Sequence, residues 1–338
     1  MMKSTMSTTA GSTLAPKKSP DLFGFVERYG VLLVLAVLVL FFAIAQPRFL
    51  SLRNISNILT EVSIYGIMAV GMTYVILTAG VDLAVGSLLA FSAICGAFLV
   101  RALGGDFALS WLVGLSVSCG VGTLAGLLHG LAITRLHVPP FIVTLGGLTV
   151  WRGMTLILGD GGPIGGFDAG YRWWGRGAVL GIPVPVLLLI AVSFAGFVVA
   201  RYTRYGRQIY AVGGNAEAAR LSGIDVKKIL VSVYVIMGLL SGLSGFLLSA
   251  RLGSAEAVAG VSYELRVIAA VVIGGTSLFG GIGGVGGTVV GSLLLGVLLN
   301  GLVMLDVSAY YQQVVIGIII VFAVAFDTYA KSRRGGRI

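Results

Sequence analysis

ISNILTEVSIYGIMAVGMTYVILTAGVDLAVGSLLAFSAICGAFLVRAL, residues 55–103, is an almost unbroken apolar run with no proline. As one α-helix it would reach about 70 Å, whereas the hydrocarbon core of a bilayer is about 30 Å thick. The run must therefore fold back on itself, and Ala79-Gly80-Val81-Asp82 marks where it does so. Spans are expected at 57–79 and 83–103. Two crossings inside one apolar run make the chain a polytopic membrane protein.

Composition carries the same conclusion to all 338 residues. Hydrophobic residues make up 57% and charged residues 11%, less than half the charged share of an ordinary soluble domain, about 25%. A chain this apolar has ample surface to bury, which excludes intrinsic disorder. The 51 glycines follow no G-X-Y period, so collagen is excluded too. In an apolar background they fit helices packed backbone to backbone. The net charge of +10 does not mark a nucleic-acid surface, because the basic residues stand at the ends of apolar runs. Cys95 and Cys119 both lie inside such runs, which argues against a disulfide framework or a metal site.

Working outward, Val31–Ala45 reads as a first span; its Ala43-Ile44-Ala45 ending leaves a cleaved signal peptide as the alternative. Further spans fall at 109–134, 139–158, 183–200, 230–250, 264–279, 285–304 and 311–328. The fold class is all-α, with about ten transmembrane helices, or as few as eight if 264–304 forms half-length hairpins. Residues 1–28 form an N-terminal tail, 29–328 the membrane domain and 329–338 a basic C-terminal tail. Both tails, the Arg135 connection and the segment 201–229 fall on one side, which the positive-inside rule makes cytoplasmic. Residues 159–182 then face outside, and Tyr171, Trp173 and Trp174 resemble an interfacial aromatic belt.

Motifs for soluble chemistry fail on context. Gly281-x-Gly283-x-x-Gly286 has the spacing of a dinucleotide fingerprint, but apolar spans flank it where a βαβ unit is required. No P-loop occurs, so any ATP used must be bound by another chain, and Leu221-Ser222-Gly223 is too short to be an ATPase signature. Ionisable groups within spans are functional candidates by default. Asp82, at the break, either caps the third span or acts in transport. For Arg152, Glu264 and Arg266, near span ends, snorkelling or ion pairing is the simpler reading, and His129 reads as a hydrogen-bonded packing residue. In the polar segment 201–229, residues 215–221 form a short helix between glycine turns at Gly213-Gly214 and Gly223. It is either a docking element for a soluble partner or a solvated connection.

At this segment the chain resembles the permease subunits of bacterial ABC sugar importers, the ribose/xylose/arabinose/galactose group. YAVGGNAEAARLSGI (210–224) is similar to the family's coupling motif. GMTYVILTAGVDLAVGS (71–87), PPFIVTLGGLTVWRG (139–153), ELRVIAAVVIGGTSLFGGIGG (264–284) and NGLVMLDVSAYYQQVVIG (300–317) resemble four further family blocks. Three positions depart from the pattern: Ala79 and Asp306 replace glycines, and Ala84 a serine. The resemblance implies a permease paired with itself or a paralogue in the bacterial inner membrane. A tandem-domain ATPase inside would bind all the ATP and magnesium, since this chain carries no cofactor, and a periplasmic sugar-binding protein would dock outside. Coupling falls to Gly213, Gly214, Asn215, Glu217, Ala218, Ala219, Arg220, Ser222 and Gly223. Asn54, Asn57, Thr73, Thr78, Asp82, Ser87 and Asn300 are the expected sugar path, because a neutral sugar needs hydrogen-bonding groups rather than charges. Rival readings are an ABC permease for a branched-chain amino acid or polyol, an ion-coupled transporter, which would need more carboxylates inside spans, and a membrane enzyme, for which no acid–base or metal set exists.

Overall fold

The computed structural model describes residues 22–105 and 107–335. Residues 1–21 of the expected N-terminal tail and 336–338 of the expected C-terminal tail lie outside the described residues, and helical backbone enters both tails. In chain order the helices are α1 (Leu22–Ala45), α2 (Leu52–Leu77), α3 (Val85–Ala102), α4 (Ser110–Arg135), α5 (Pro140–Leu158), α6 (Ala169–Arg176) and α7 (Val184–Tyr202). Then follow α8 (Arg204–Gly214), α9 (Ala216–Leu221), α10 (Val226–Leu252), α11 (Tyr263–Ile273), α12 (Val285–Met304) and α13 (Ala309–Gly335). Seven of these, α2, α3, α4, α5, α7, α10 and α12, are long and apolar enough to cross a membrane. α1 and α13 contain shorter apolar stretches, Gly30–Ala45 and Ala309–Ala325.

α2 is the axis around which the others pack. Every residue from Val62 to Leu77 is buried, as expected of a helix that is apolar all round. α4 and α10 meet along a glycine seam. A Cβ at Gly122 or Gly126 would strike the carbonyl of Gly238 or Tyr234, and one at Gly238 or Gly242 the carbonyl of Gly122 or Ser118. Small residues every fourth position allow this backbone contact, where dispersion replaces the hydrophobic effect as the force joining helices.

The break between α2 and α3 falls where the length of the apolar run requires it. α2 closes in a Schellman motif: the Ala79 N–H donates to the Ile76 carbonyl at 2.9 Å and the Gly80 N–H to that of Val75 at 3.0 Å. The motif needs a left-handed residue after the cap, and Ala79 takes that role with φ +60°. Asp306 is left-handed as well, φ +57°. Two of the three departures from the resembled family thus replace glycine where glycine is the unstrained choice.

The expected eighth span, 264–279, is corrected. α11 has 11 residues, about 16 Å, too short to cross a core of about 30 Å. It stops at Gly274-Gly275, where Gly275 turns left-handed, φ +87°. The chain continues without helix to Gly284, and on the way the Gly281 N–H donates to the Leu77 carbonyl at the foot of α2 at 2.9 Å. Part of this irregular backbone is packed inside the protein, with Thr276, Ser277 and Gly280 buried, while Phe279 and Ile282 are exposed.

Two ends of the bundle can be told apart. One holds the C-termini of α2, α4 and α7 with α8 and α9. At the other, α6 lies over the C-terminus of α10: Arg176 donates to the carbonyls of Arg251 at 2.6 Å and Leu252 at 2.7 Å. The expected loop 159–182 therefore contains a helix, capped by Asp168, which also accepts from Ser110. Tyr171 is fully buried with its hydroxyl 2.8 Å from Ser249, and Trp174 packs on Trp111, leaving Trp173 as the exposed aromatic of the expected belt.

Candidate functional site

The segment 201–229 folds as two helices where one was expected. α8 is amphipathic, burying Ile209 and Val212. The Tyr205 hydroxyl meets Ser232 of α10 at 2.7 Å, and that of Tyr210 donates to the Gly283 carbonyl at 2.8 Å. α9 projects beyond it. Asn215 caps α9 by accepting from the Ala218 N–H at 2.9 Å. Gly223, φ +84°, ends it in the same motif that ends α2, with the Ile224 N–H on the Ala219 carbonyl at 3.0 Å. Ala219 is buried, whereas Ala216, Glu217, Ala218, Arg220, Leu221 and Ser222 are exposed. Glu217 and Arg220 form a two-point ion pair at 3.0 and 2.6 Å, and the guanidinium holds the Glu217 carboxyl below its ordinary range.

α8 connects this exposed knob to both helix breaks. A Cβ at Gly213 would collide with the Leu77 carbonyl and the Gly281 N–H, while one at Gly280 would crowd Ala79 and the Gly213 carbonyl. Gly214 differs from the sequence expectation: its missing Cβ faces open space and its φ is not left-handed. The tight contact belongs to Gly213.

Inside the α2–α3 break lies a buried polar chain. Asp82 is fully buried; its Oδ1 accepts from the Ala84 N–H at 2.9 Å, an Asx turn leading into α3. Its Oδ2 faces His129 Nδ1 on α4 at 3.7 Å, and neither atom has another partner. The Trp151 indole of α5 donates to His129 Nε2 at 3.0 Å. An indole N–H can only donate, so Nε2 is an acceptor and the imidazole proton sits on Nδ1, aimed at Asp82. Thr144 of α5 and Tyr234 of α10 bond the neighbouring Val81 carbonyl at 3.3 and 3.4 Å. Helices α3, α4, α5 and α10 thereby converge on one break.

Comparison with known proteins decides the family. Residues 54–324 match the family described as branched-chain amino acid transport system / permease component. The chain belongs to this permease family. It is similar to the ribose import permease of Bacillus subtilis, 46% identical across 90% of this chain and 94% of the relative. The D-allose transport permease of Escherichia coli is 39% identical, covering 95% of this chain and 98% of the relative. The galactose/methyl galactoside import permease of Escherichia coli is 36% identical over 92% and 96%. No solved structure matches the permease.

The polar residues expected along a path are dispersed in the permease. Asn54 and Asn300 exchange amide hydrogen bonds at 2.9 and 3.1 Å between α2 and α12. Thr73 meets Thr288 at 2.7 Å, Thr78 bonds the Val75 carbonyl, and Ser87 bonds that of Ala84. Asn57 is exposed. Arg152 neither snorkels nor ion-pairs directly but donates to the carbonyls of Ala257 and Ala259 at 2.8 and 2.9 Å. Sequence reading named Arg266 but missed the cluster it joins on α2, α10 and α11, with Glu61, Arg251 and Tyr263. Glu61 and Tyr263 are 202 residues apart in sequence, and no local pattern links the members.

Proposed function

We propose that the permease is the membrane subunit of an ATP-driven importer that carries a monosaccharide, a ribose-like pentose or a hexose, into the cell. The observation that carries this reading is the identity, over nearly the whole chain, with permeases named for ribose, allose and galactose import. In this reading the exposed face of α9 docks on a separate, tandem-domain ATPase, which binds the ATP and magnesium. A periplasmic binding protein delivers sugar to the opposite end, and two copies of the permease, or one copy and a paralogue, enclose the path in the inner membrane. Exposure of Arg201, Arg204, Arg207, Arg220, Lys227 and Lys228 around α8 and α9 supports a cytoplasmic position for that end. Ten crossings with both tails inside follow if α11 and the irregular segment after it together traverse the membrane.

Mechanically, closure of the ATPases would push α9 and α8. Because Gly213 lies against Leu77 and Gly281, the push arrives at the α2–α3 break and at the irregular segment after α11. Those discontinuities can bend where continuous helix cannot. Bending them would alternate access between the two ends.

The test is reconstitution. The permease alone should not hydrolyse ATP, and with its ATPase and binding protein it should show sugar-stimulated hydrolysis and sugar uptake. Robust hydrolysis by the permease alone would end this reading. The description of the matched family favours one competitor, a branched-chain amino acid. Uptake of leucine and not of ribose, allose or galactose in the same vesicles would select it.

A further inference from the structure

The cluster missed by the sequence surrounds a cavity. Glu61 lies in the third turn of α2, Arg251 in the last turn of α10, and Tyr263 and Arg266 in the first turn of α11. Glu61 Oε2 pairs with Arg251, while Oε1 accepts from the Tyr263 hydroxyl at 3.2 Å and stands 3.9 Å from Arg266. The Arg266 guanidinium lies over the Tyr263 ring, 5.1 Å from its centroid. Glu61, Arg251 and Tyr263 line the cavity with Glu256, and Leu248 and Val258 give it an apolar wall. Its volume of about 430 Å³ falls within the range of small-molecule sites, about 300–1,000 Å³.

Three features state what would fit. Two carboxylates, Glu61 and Glu256, and the Arg251 guanidinium line the cavity, and Arg266 stands behind Glu61 at 3.9 Å, so the formal charges of the four groups cancel. A charged solute finds no uncompensated counter-charge there, whereas a neutral solute with many hydroxyls finds both donors and acceptors beside apolar surface. Hydrogen-bonding capacity is also left over. The Glu61 side chain is 38% exposed. Finally, a charged group within a span, as Glu61 is in the third turn of α2, persists where it faces a water-filled space. This space opens at the end of the bundle opposite α9.

We propose that this cavity is the outward-side binding site at which the permease first holds a neutral polyhydroxyl solute, with Glu61, Arg251, Glu256 and Tyr263 as its hydrogen-bonding groups. The proposal rests on the sugar-importer reading and goes beyond it by locating the site.

The test uses the assembled transporter in proteoliposomes, with Cys95 and Cys119 replaced and Val258→Cys as a reporter. A membrane-impermeant thiol reagent is applied with millimolar D-ribose, D-allose or D-galactose, with leucine, or with an equal osmolarity of betaine. The sugar that the transporter imports should slow labelling, while leucine and betaine leave it unchanged. Glu61→Gln should raise the half-protecting concentration about tenfold, the factor expected for one lost charge-assisted hydrogen bond. Tyr263→Phe, which keeps the ring, serves the same purpose if Glu61→Gln does not assemble. Equal labelling with and without the imported sugar, or equal protection by leucine, overturns the proposal. Uptake by the same vesicles separates the two failures. Import without protection removes only this site, and import of none of the three sugars removes the importer reading itself.

Discussion

Ala79→Gly should stabilise the permease, although it places glycine at the end of its central helix. Ala79 holds the left-handed position of the α2 cap at φ +60°, which costs a residue with a Cβ about 1–2 kcal/mol. Glycine removes that strain but loses about 0.4–1 kcal/mol through its greater freedom in the unfolded chain. Ala79 is exposed, so truncation forfeits no burial, and the two capping hydrogen bonds are made by backbone atoms. The balance is a gain of about 0.5–1 kcal/mol, or about 1 °C in midpoint for a chain of this length. Thermal unfolding of the detergent-solubilised permease at a fixed scan rate measures it. Ala69→Gly, fully buried within α2, is the matched control and should lower the midpoint, because glycine inside a helix is about 1 kcal/mol worse than alanine. A fall in the Ala79→Gly midpoint comparable to that of the control would refute the reasoning.

Gly213→Ala and Gly214→Ala should separate sharply, although the residues are neighbours. The first forces a Cβ into the Leu77 carbonyl, an overpacking worth about 1–3 kcal/mol, and should depress uptake; the second meets open space and should import normally. Gly223→Val strains the end of α9, so co-purification of the ATPase and sugar uptake should fall together while the permease stays in the membrane. Trp151→Phe leaves His129 Nε2 buried without its donor, at about 1–3 kcal/mol, which a lowered unfolding midpoint checks.

The break at 79–82 was legible because length arithmetic demands a break and a glycine beside an aspartate supplies one. α9 was legible because Asn215 is a strong local start signal and Gly223 a strong stop signal. α8 was not. Its buried face is only Gly206, Ile209 and Val212, and the arginines around them read as a solvated connection. The eighth span was overextended because hydropathy continues past Ile273 although the helix does not; Gly274-Gly275 carried the information and apolar context masked it. The Glu61 cluster left no local trace, since three helices distant in sequence build it. Asn54 and Asn300 were singled out separately for a path, and only the fold shows that they pair.

The glycine seam between α4 and α10 has a consequence for how damage to this protein arises. On any hydrophobicity scale Gly126→Val or Gly238→Val improves the helix that carries it, so the translocon should insert such a chain at least as readily as the native one. The defect emerges afterwards, when α4 and α10 attempt to close and a methyl group meets a carbonyl. The product is a correctly threaded polypeptide with unmated helices, a substrate for membrane proteases rather than for the insertion machinery. Lesions at the seam should therefore appear as rapid turnover after normal synthesis and integration, which a pulse-chase experiment distinguishes from failed targeting.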